Sequence, residues 1–167
     1  MSNNLHFAFS TDRVDTPPDK ARPNLRITFD DLRDLITGKK IAPPAEFYEL
    51  PDLARRAYCD NDAAAKKELS DKKKALPYVL FSGFCPIHHN NETLAYNGDQ
   101  QIDEDFKFVG GDQVALDVLQ KIKELRPAGV LYAGPSPSTF GIKILLRTDN
   151  LDKDRHGEAL QAAIAYL

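Results

Sequence analysis

Short strand-type runs alternate with capped helix-type segments along most of this chain, and this alternation limits its possible folds more than any other feature. The strand-type runs are at residues 5–9, 24–27, 78–81, 130–133 and 142–147. The helix-type patterns begin near Thr28, Pro51, Asp62, Asp112 and Asp152. The turn dipeptide Asn97-Gly98 predicts a hairpin between residues 93–96 and 101–108. Helices alternating with strands, with a hairpin in the middle, predict an α+β fold with a mixed or antiparallel sheet and flanking helices; a mixed α/β sandwich is the alternative.

Two of the predicted helices carry start signals. Thr28 followed by Asp31 approximates a capping box, in which a hydroxyl and a carboxylate each accept a hydrogen bond from a backbone N–H group. Asp112, after the break at Gly110-Gly111, is the predicted N-cap of a helix that packs on a sheet.

The length and composition are those of one globular domain, residues 1–167. With 167 residues, of which 42% are apolar, the chain can bury a sizeable core. It has no run long enough to span a bilayer and no secretory signal, so no membrane partner is predicted. Two cysteines are too few for a disulfide scaffold, which indicates a cytoplasmic location. The chain stops inside a helical pattern, which predicts the N-terminal part of a longer protein.

An acidic strand is the first candidate site. Asp103, Glu104 and Asp105 are consecutive in the second arm of the predicted hairpin, residues 101–108. Alternate side chains of a strand share a face, so Asp103 and Asp105 are predicted on one face and Glu104 on the other. Two carboxylates this close repel each other unless a cation lies between them, which predicts a Mg²⁺ or Mn²⁺ site. The alternative is an exposed edge strand whose acids are solvated.

A serine-containing turn is the second candidate. Residues 134–141 are rich in Gly, Pro and Ser and lead into a strand that begins Ile142-Lys143. Ser136, Ser138 and Lys143 are candidates for holding a phosphate through hydroxyls, N–H groups and a positive charge. Arg147 shares the strand face of Lys143 by alternation and is a further candidate. The alternative is an ordinary polar turn.

Basic and metal-binding residues elsewhere give two weaker hypotheses. Lys72, Lys73 and Lys74 end the predicted helix of residues 62–75 and are candidates for contacting a DNA backbone. A solvated helix face is the alternative, and the formal net charge of −3 gives no global reason to expect nucleic-acid binding. Zinc is not predicted, because Cys59, Cys85 and His88 would leave one of the usual four ligands missing.

These motifs, taken in order, resemble the VirE N-terminal domain family of Bacteroidetes mobile-element proteins over roughly residues 60–150. The resemblance rests on these segments: Lys74-Ala75-Leu76-Pro77, Phe81-Ser82-Gly83, Asn97-Gly98, Ile102-Asp103-Glu104-Asp105, Ser136-Pro137-Ser138 and Gly141-Ile142-Lys143. It implies a primase-polymerase-like fold with an RRM-related core. It also implies that Asp103 and Asp105 are catalytic metal ligands and that Ser136, Ser138 and Lys143 contact a nucleoside triphosphate.

The chain departs from the family pattern at the places where chemistry is expected. Glu104 replaces an apolar residue, Thr139-Phe140 replaces Gly-Lys, and Lys143 stands where active primases often have His. The resemblance predicts a nucleotide- or nucleic-acid-binding domain of a mobile-element replication protein, with primase- or helicase-like domains beyond it. Such a domain is a degenerate or incomplete metal-dependent nucleotidyltransferase in the first hypothesis, and a non-catalytic nucleic-acid- or protein-docking module in the second.

Overall fold

The computed structural model describes residues 6–11, 20, 22–39, 42, 44–81, 83–84 and 95–167. The strands in these residues are β1 (His6–Ser10), β2 (Leu25–Thr28), β3 (Tyr78–Leu80), β4 (Gly83–Phe84), β5 (Ala95–Tyr96), β6 (Gln100–Asp105), β7 (Val130–Pro135) and β8 (Gly141–Leu146). The α-helices are α1 (Phe29–Ile36), α2 (Leu50–Tyr58), α3 (Ala63–Lys74), α4 (Gly111–Leu125) and α5 (His156–Tyr166). Short 3-10 turns at Ala45–Glu49 and Lys153–Arg155 lead into α2 and α5.

Two antiparallel sheets of three strands form the framework. The first has the order β2-β1-β3 and the second the order β6-β8-β7, while β4 and β5 pair separately. Ile102, Ile142 and Ile144 lie on one face of the second sheet and are buried under α4 and α5. Leu145 points from the opposite face into the core that the first sheet forms with α1, so it joins the two sheets.

A third core lies between α2 and α3 and extends to the β7–β8 turn. Leu50, Leu53 and Leu69 of the two helices pack with Phe140, which lies in the serine-containing turn and is 1% exposed. The ring centroids of Phe140 and Tyr58 are 5.3 Å apart. This contact holds the turn against the C-terminal end of α2.

The predicted hairpin around Asn97-Gly98 is wrong. β5 pairs with β4 and β6 pairs with β8, so the two predicted arms belong to different sheets. The Asn97 side chain donates to Phe81 O at 2.9 Å and accepts from Asp99 N at 3.1 Å, which turns the chain away from β5. Gly98 has φ +77° and packs directly on the carbonyl oxygen of Asn150, which leaves no room for a side chain. Residues 93–94 lie outside the described residues.

The two helix start signals had opposite outcomes. The capping box at Thr28 is confirmed: its Oγ accepts from Asp31 N at 3.2 Å, and the Asp31 carboxylate accepts from Thr28 N at 2.9 Å. Asp112, in contrast, is not an N-cap. Gly110 occupies that position with φ +82°, and Asp112 lies in the first turn of α4, where its carboxylate pairs with Arg55 at 3.1 Å.

The α+β class and the antiparallel pairing are confirmed. The predicted helices and strands other than the hairpin occur within a few residues of their predicted bounds in the part of the chain that the structure describes. None of the helices in the described ranges has the length and apolar character that crossing a bilayer requires.

Candidate functional site

Asp103 and Asp105 share a face of β6, as the alternation predicts. Asp103 lies opposite Lys143 of β8 and Asp105 lies opposite Gly141. Asp103 Oδ1 accepts from Lys143 Nζ at 2.7 Å, and its Oδ2 accepts from Gln101 Nε2 at 2.9 Å. The acidic strand and the strand after the serine turn therefore meet through an ion pair between two predicted site residues.

Asp105 has a different lysine partner, Lys107, which is not among the site residues predicted from the sequence. Its Oδ2 is 2.5 Å from Lys107 Nζ, and both side chains are about half exposed. The hydrogen bond to Asp105 raises the pKa of the Lys107 ammonium. A lysine two residues after an acid was the only signal for this pair in the sequence.

Lys73 approaches the same place from the end of α3. Its side chain is half-buried, and this burial lowers its pKa, while the nearby charges of Asp105 and Asp103 act in the opposite direction and those of Lys107 and Lys143 in the same one. In the described ranges, no carboxylate lies within ion-pair distance of its ammonium group. Five residues thus form what we call the lysine–aspartate cluster: Lys73, Asp103, Asp105, Lys107 and Lys143.

Tyr58, at the end of α2, borders the lysine–aspartate cluster. Burial raises the pKa of its hydroxyl; the charge of Lys107 lowers this pKa and that of Asp105 raises it. Its ring stacks edge-on against Phe140. Tyr58 is far from the acidic strand in sequence, so no sequence pattern could have indicated its place here.

The serine turn lies beside Asp105, with its hydroxyls turned inward. Ser138 is 1% exposed, and its Oγ is 3.1 Å from Ser136 Oγ. The turn closes through hydrogen bonds from Ser136 N to Gly141 O (2.8 Å) and from Thr139 N to Ser136 O (2.9 Å). The two predicted phosphate ligands therefore stabilise the turn, and their backbone and hydroxyls are not presented to solvent as a cradle.

Gly141 is a position where the serine turn packs tightly against the acidic strand. A Cβ atom at this position would lie 2.8 Å from Asp105 Oδ1 and 3.3 Å from Ser136 Oγ. The absence of a side chain here lets the Asp105 carboxylate lie next to the turn.

Arg147 lies at the other end of the strand face, away from the serine turn. It follows Lys143 by four residues, about 13 Å along an extended strand, with the buried Leu145 between them. Its Nε donates to Asp99 Oδ1 at 3.3 Å, and Asp99 is completely buried. Arg147 is therefore not part of the lysine–aspartate cluster.

The three consecutive lysines of α3 do not form one basic surface. Lys72 pairs with Glu49 and, at 3.4 Å, with Glu68, and the hydrogen bond to Glu49 raises its pKa. Lys73 faces the cluster, and Lys74 is the last residue of the helix. Of the lysines predicted to contact DNA, only Lys73 lies with the acidic strand.

The cluster offers two carboxylates to a metal ion. In the described ranges, no group of three or more His, Cys, Asp or Glu side chains is arranged to hold one. Mg²⁺ commonly binds one or two carboxylates and takes its other ligands from water and substrate phosphates, so Asp103 and Asp105 fit an ion that arrives with phosphates. Cys59 is a free thiol packed near the α2–α3 core, while Cys85 and His88 lie outside the described residues.

A separate groove lies between α4 and the edge strand β7. Its volume is about 610 Å³, and apolar residues such as Leu119, Ile122 and Val130 line it. None of the residues of the lysine–aspartate cluster borders this groove.

Comparison with known families gives a match that covers residues 71–167. The model of the family described as BT4734-like, N-terminal domain, matches this segment. The match covers all the site residues predicted from the sequence, and it leaves out Tyr58. Neither the curated proteins nor the solved structures gave a match to the chain.

Proposed function

The chain belongs to the BT4734-like, N-terminal domain family, a Bacteroidetes family, and from that premise we propose that its lysine–aspartate cluster binds the polyphosphate of a nucleoside triphosphate together with Mg²⁺ or Mn²⁺. The ordered motifs that resemble the VirE N-terminal domain family, and through it primase-polymerase domains, support a role in the replication of a mobile element in the cytoplasm. In that role the domain precedes primase- or helicase-like domains of a longer protein.

The observation that carries the proposal is the half-buried Lys73 ammonium, which has no carboxylate partner among the described residues. Partial burial disfavours the charge of this ammonium group, and the attraction of Asp105 and Asp103 offsets this only in part, so its pKa stays lowered. The cluster has three lysines and two aspartates, so its formal charge is +1. A phosphate group would pair Lys73 and neutralise the excess charge.

Asp103 and Asp105 are the residues that would hold a divalent cation. A cation bound there would neutralise the phosphates and orient them, as metal ions do in nucleotidyl transfer. Lys143 and Lys107, which lie beside the same carboxylates, would contact the phosphate oxygens as point charges. Ser136 and Ser138 support this arrangement by holding the turn beside Asp105.

A docking module without metal chemistry is the second candidate. One observation favours it: Asp103 and Asp105 both already have a lysine partner, so neither requires a cation to balance its charge. In that case the pairs only stabilise the surface, and neither a metal ion nor a triphosphate binds to them.

Calorimetric titration of the protein with ATP in the presence of Mn²⁺ distinguishes these candidates. Lys73→Met keeps the length and the apolar stem of the side chain but removes its charge, and we expect it to weaken binding about tenfold or more, the effect of losing a charged hydrogen bond. Lys72→Met is the matched control, because Lys72 is adjacent on the same helix but pairs with Glu49 and Glu68.

Saturable binding that Lys73→Met weakens and Lys72→Met leaves unchanged is the expected result. Equal affinities of the wild type and Lys73→Met would show that the phosphate does not bind at the lysine–aspartate cluster. Absence of binding at millimolar ATP and Mn²⁺ would leave the docking module as the function.

Binding of single-stranded DNA to the end of α3 is a separate proposal for Lys72, Lys73 and Lys74. Its affinity should fall as salt rises, because phosphate contacts release counterions. The pairing of Lys72 with two glutamates predicts that the salt dependence changes more with Lys73→Ala than with Lys72→Ala. Affinity that does not depend on salt would exclude backbone contacts by these lysines.

A further inference from the structure

Each aspartate of the cluster holds one of its lysines. Asp103 Oδ1 is 2.7 Å from Lys143 Nζ, and Asp105 Oδ2 is 2.5 Å from Lys107 Nζ. The four side chains are between 37% and 50% exposed, so water reaches both pairs. While these pairs persist, the carboxylates compete with any phosphate for the two ammonium groups. The ammonium groups in turn compete with any metal ion for the carboxylate oxygens.

We infer that a divalent cation and a phosphate bind to the cluster as a coupled pair, because the cation takes Asp103 and Asp105 from their lysines and thereby frees Lys143 and Lys107 for the phosphate. This inference rests on the proposed function, since it concerns the same site and the same ligands. Beyond that function, it gives the two ion pairs a role in excluding phosphate that arrives without a cation.

The exchange requires little rearrangement. Asp103 and Lys143 face each other in the fixed register of β6 and β8, so only their side chains have to turn. Lysine has a long, flexible stem with a point charge at its end, which allows its ammonium group to move between a carboxylate and a nearby phosphate oxygen.

The strength of the pairs limits the size of the coupling. Partly exposed ion pairs are weak, and breaking two of them corresponds to a change of roughly twofold to thirtyfold in affinity. Lys73 is not held by a carboxylate of the described residues, so it is available to phosphate in either state. We therefore expect weak binding of phosphate without metal, and stronger binding with it.

The acids on the two faces of β6 can be neutralised separately, which provides a direct test. Asp103→Asn and Asp105→Asn remove the charges that hold Lys143 and Lys107. Glu104→Gln is the matched control, because it removes the same charge from the same strand while Glu104 lies opposite Ile142, on the other face of the sheet. The probe is inorganic tripolyphosphate, titrated calorimetrically into the whole chain with EDTA and then with Mg²⁺.

The expected result without metal is that Asp103→Asn and Asp105→Asn each bind tripolyphosphate severalfold more tightly than the wild type, and that Glu104→Gln changes the affinity little. With Mg²⁺, affinity should rise for the wild type and rise less, or not at all, for the two Asp variants. A second readout is the ¹³Cε–¹H NMR signal of the lysines, since those of Lys143 and Lys107 should shift when Mg²⁺ is added together with phosphate.

Two outcomes separate this inference from the proposed function. If the wild type binds Mg²⁺ with tripolyphosphate, but the Asp variants bind metal-free tripolyphosphate no more tightly than Glu104→Gln does, the exchange is overturned and the proposed function stands. If no variant binds tripolyphosphate with or without Mg²⁺, both are overturned.

Discussion

Gly141 shows how one residue determines the geometry of the candidate site. Its missing side chain is what allows the Asp105 carboxylate to lie against the serine turn, since a Cβ atom would be 2.6 Å from Glu104 O and 2.8 Å from Asp105 Oδ1. One contact is to backbone, which cannot move aside without disturbing β6. A side chain at residue 141 would therefore affect both the stability of the protein and the position of the Asp105 carboxylate.

Gly141→Ala is expected to destabilise the protein by about 1–3 kcal/mol, the usual cost of inserting a carbon into a packed position. Urea denaturation measures this change. Gly157→Ala, in α5, is the control, because a Cβ there meets no atom within 4 Å and alanine favours a helix. Equal stability of the two variants would mean that β6 and the turn can separate without cost.

Asp99 is the second residue whose environment leads to a prediction. It is completely buried, and this burial raises its pKa above the ordinary value of 3.8, although Arg147 beside it acts in the opposite direction. Its Oδ2 has no hydrogen-bond partner among the described residues. The carboxylate is therefore more costly to ionise in the folded protein than in the unfolded chain.

The sign of the pH dependence follows from this raised pKa. A carboxyl group with a higher pKa in the folded state binds its proton more tightly there, so the folded protein loses stability as the pH rises from 3.8 through the raised value. Asp99→Asn removes this titration. We expect the stability of Asp99→Asn relative to the wild type to increase between pH 3.5 and pH 7 in urea denaturation, and a decrease would show that the Arg147 pair outweighs burial.

Phe140 connects elements that are distant in sequence. It belongs to the β7–β8 turn but packs in the core between α2 and α3, where its ring contacts that of Tyr58. Phe140, one of the residues at which the chain departs from the VirE pattern, is therefore a packing residue of this core.

Phe140→Leu is expected to cost about 1–3 kcal/mol of stability, because a smaller side chain leaves part of the α2–α3 core unfilled. It should also weaken ATP–Mn²⁺ binding, since Lys73 loses its fixed position relative to Asp105. Phe108→Leu is the control, because Phe108 is 50% exposed. Loss of stability with unchanged ATP affinity would show that the position of Lys73 does not depend on the packing of Phe140.

The elements could be predicted where the signal is local. Thr28 and Asp31 predicted the start of α1 because a capping box is complete within four residues. Asn97-Gly98 failed as a hairpin signal because the partner of β6 is β8, some forty residues later, and no local pattern encodes that choice. Asp112 failed as a cap because Gly110 reaches the left-handed conformation that this chain entry requires.

At the scale of the whole molecule, the candidate site is an assembly of distant segments. The strand face that Asp103, Asp105 and Lys143 share could be predicted, because alternation along a strand needs only the sequence. The approach of Lys73 and Tyr58 could not, because it depends on how α2 and α3 pack on Phe140. Alternation places Lys143, Leu145 and Arg147 on one strand face, but it does not show that Leu145 is buried. Because the buried Leu145 lies between Lys143 and Arg147, Arg147 is separated from the turn.

Leu145 is the residue through which the two sheets share a core. It belongs to the second sheet, but it is packed with Phe7, Phe9 and Ile27 of the first. Burial of an apolar side chain stabilises both surfaces that it touches. The two sheets are therefore expected to unfold together, as a single cooperative domain does.

Native-state hydrogen exchange followed by NMR tests this cooperativity. The slowest amides of β1 and of β8 should report the same opening free energy, and Leu145→Ala should lower both by about 2–5 kcal/mol, the cost of a buried Leu→Ala change. Leu151→Ala, at a side chain that is 77% exposed, should change neither. If Leu145→Ala lowers the protection of β8 alone, the sheets are separate units, and Asp103, Asp105 and Lys143 on the second sheet would not depend on the stability of the first.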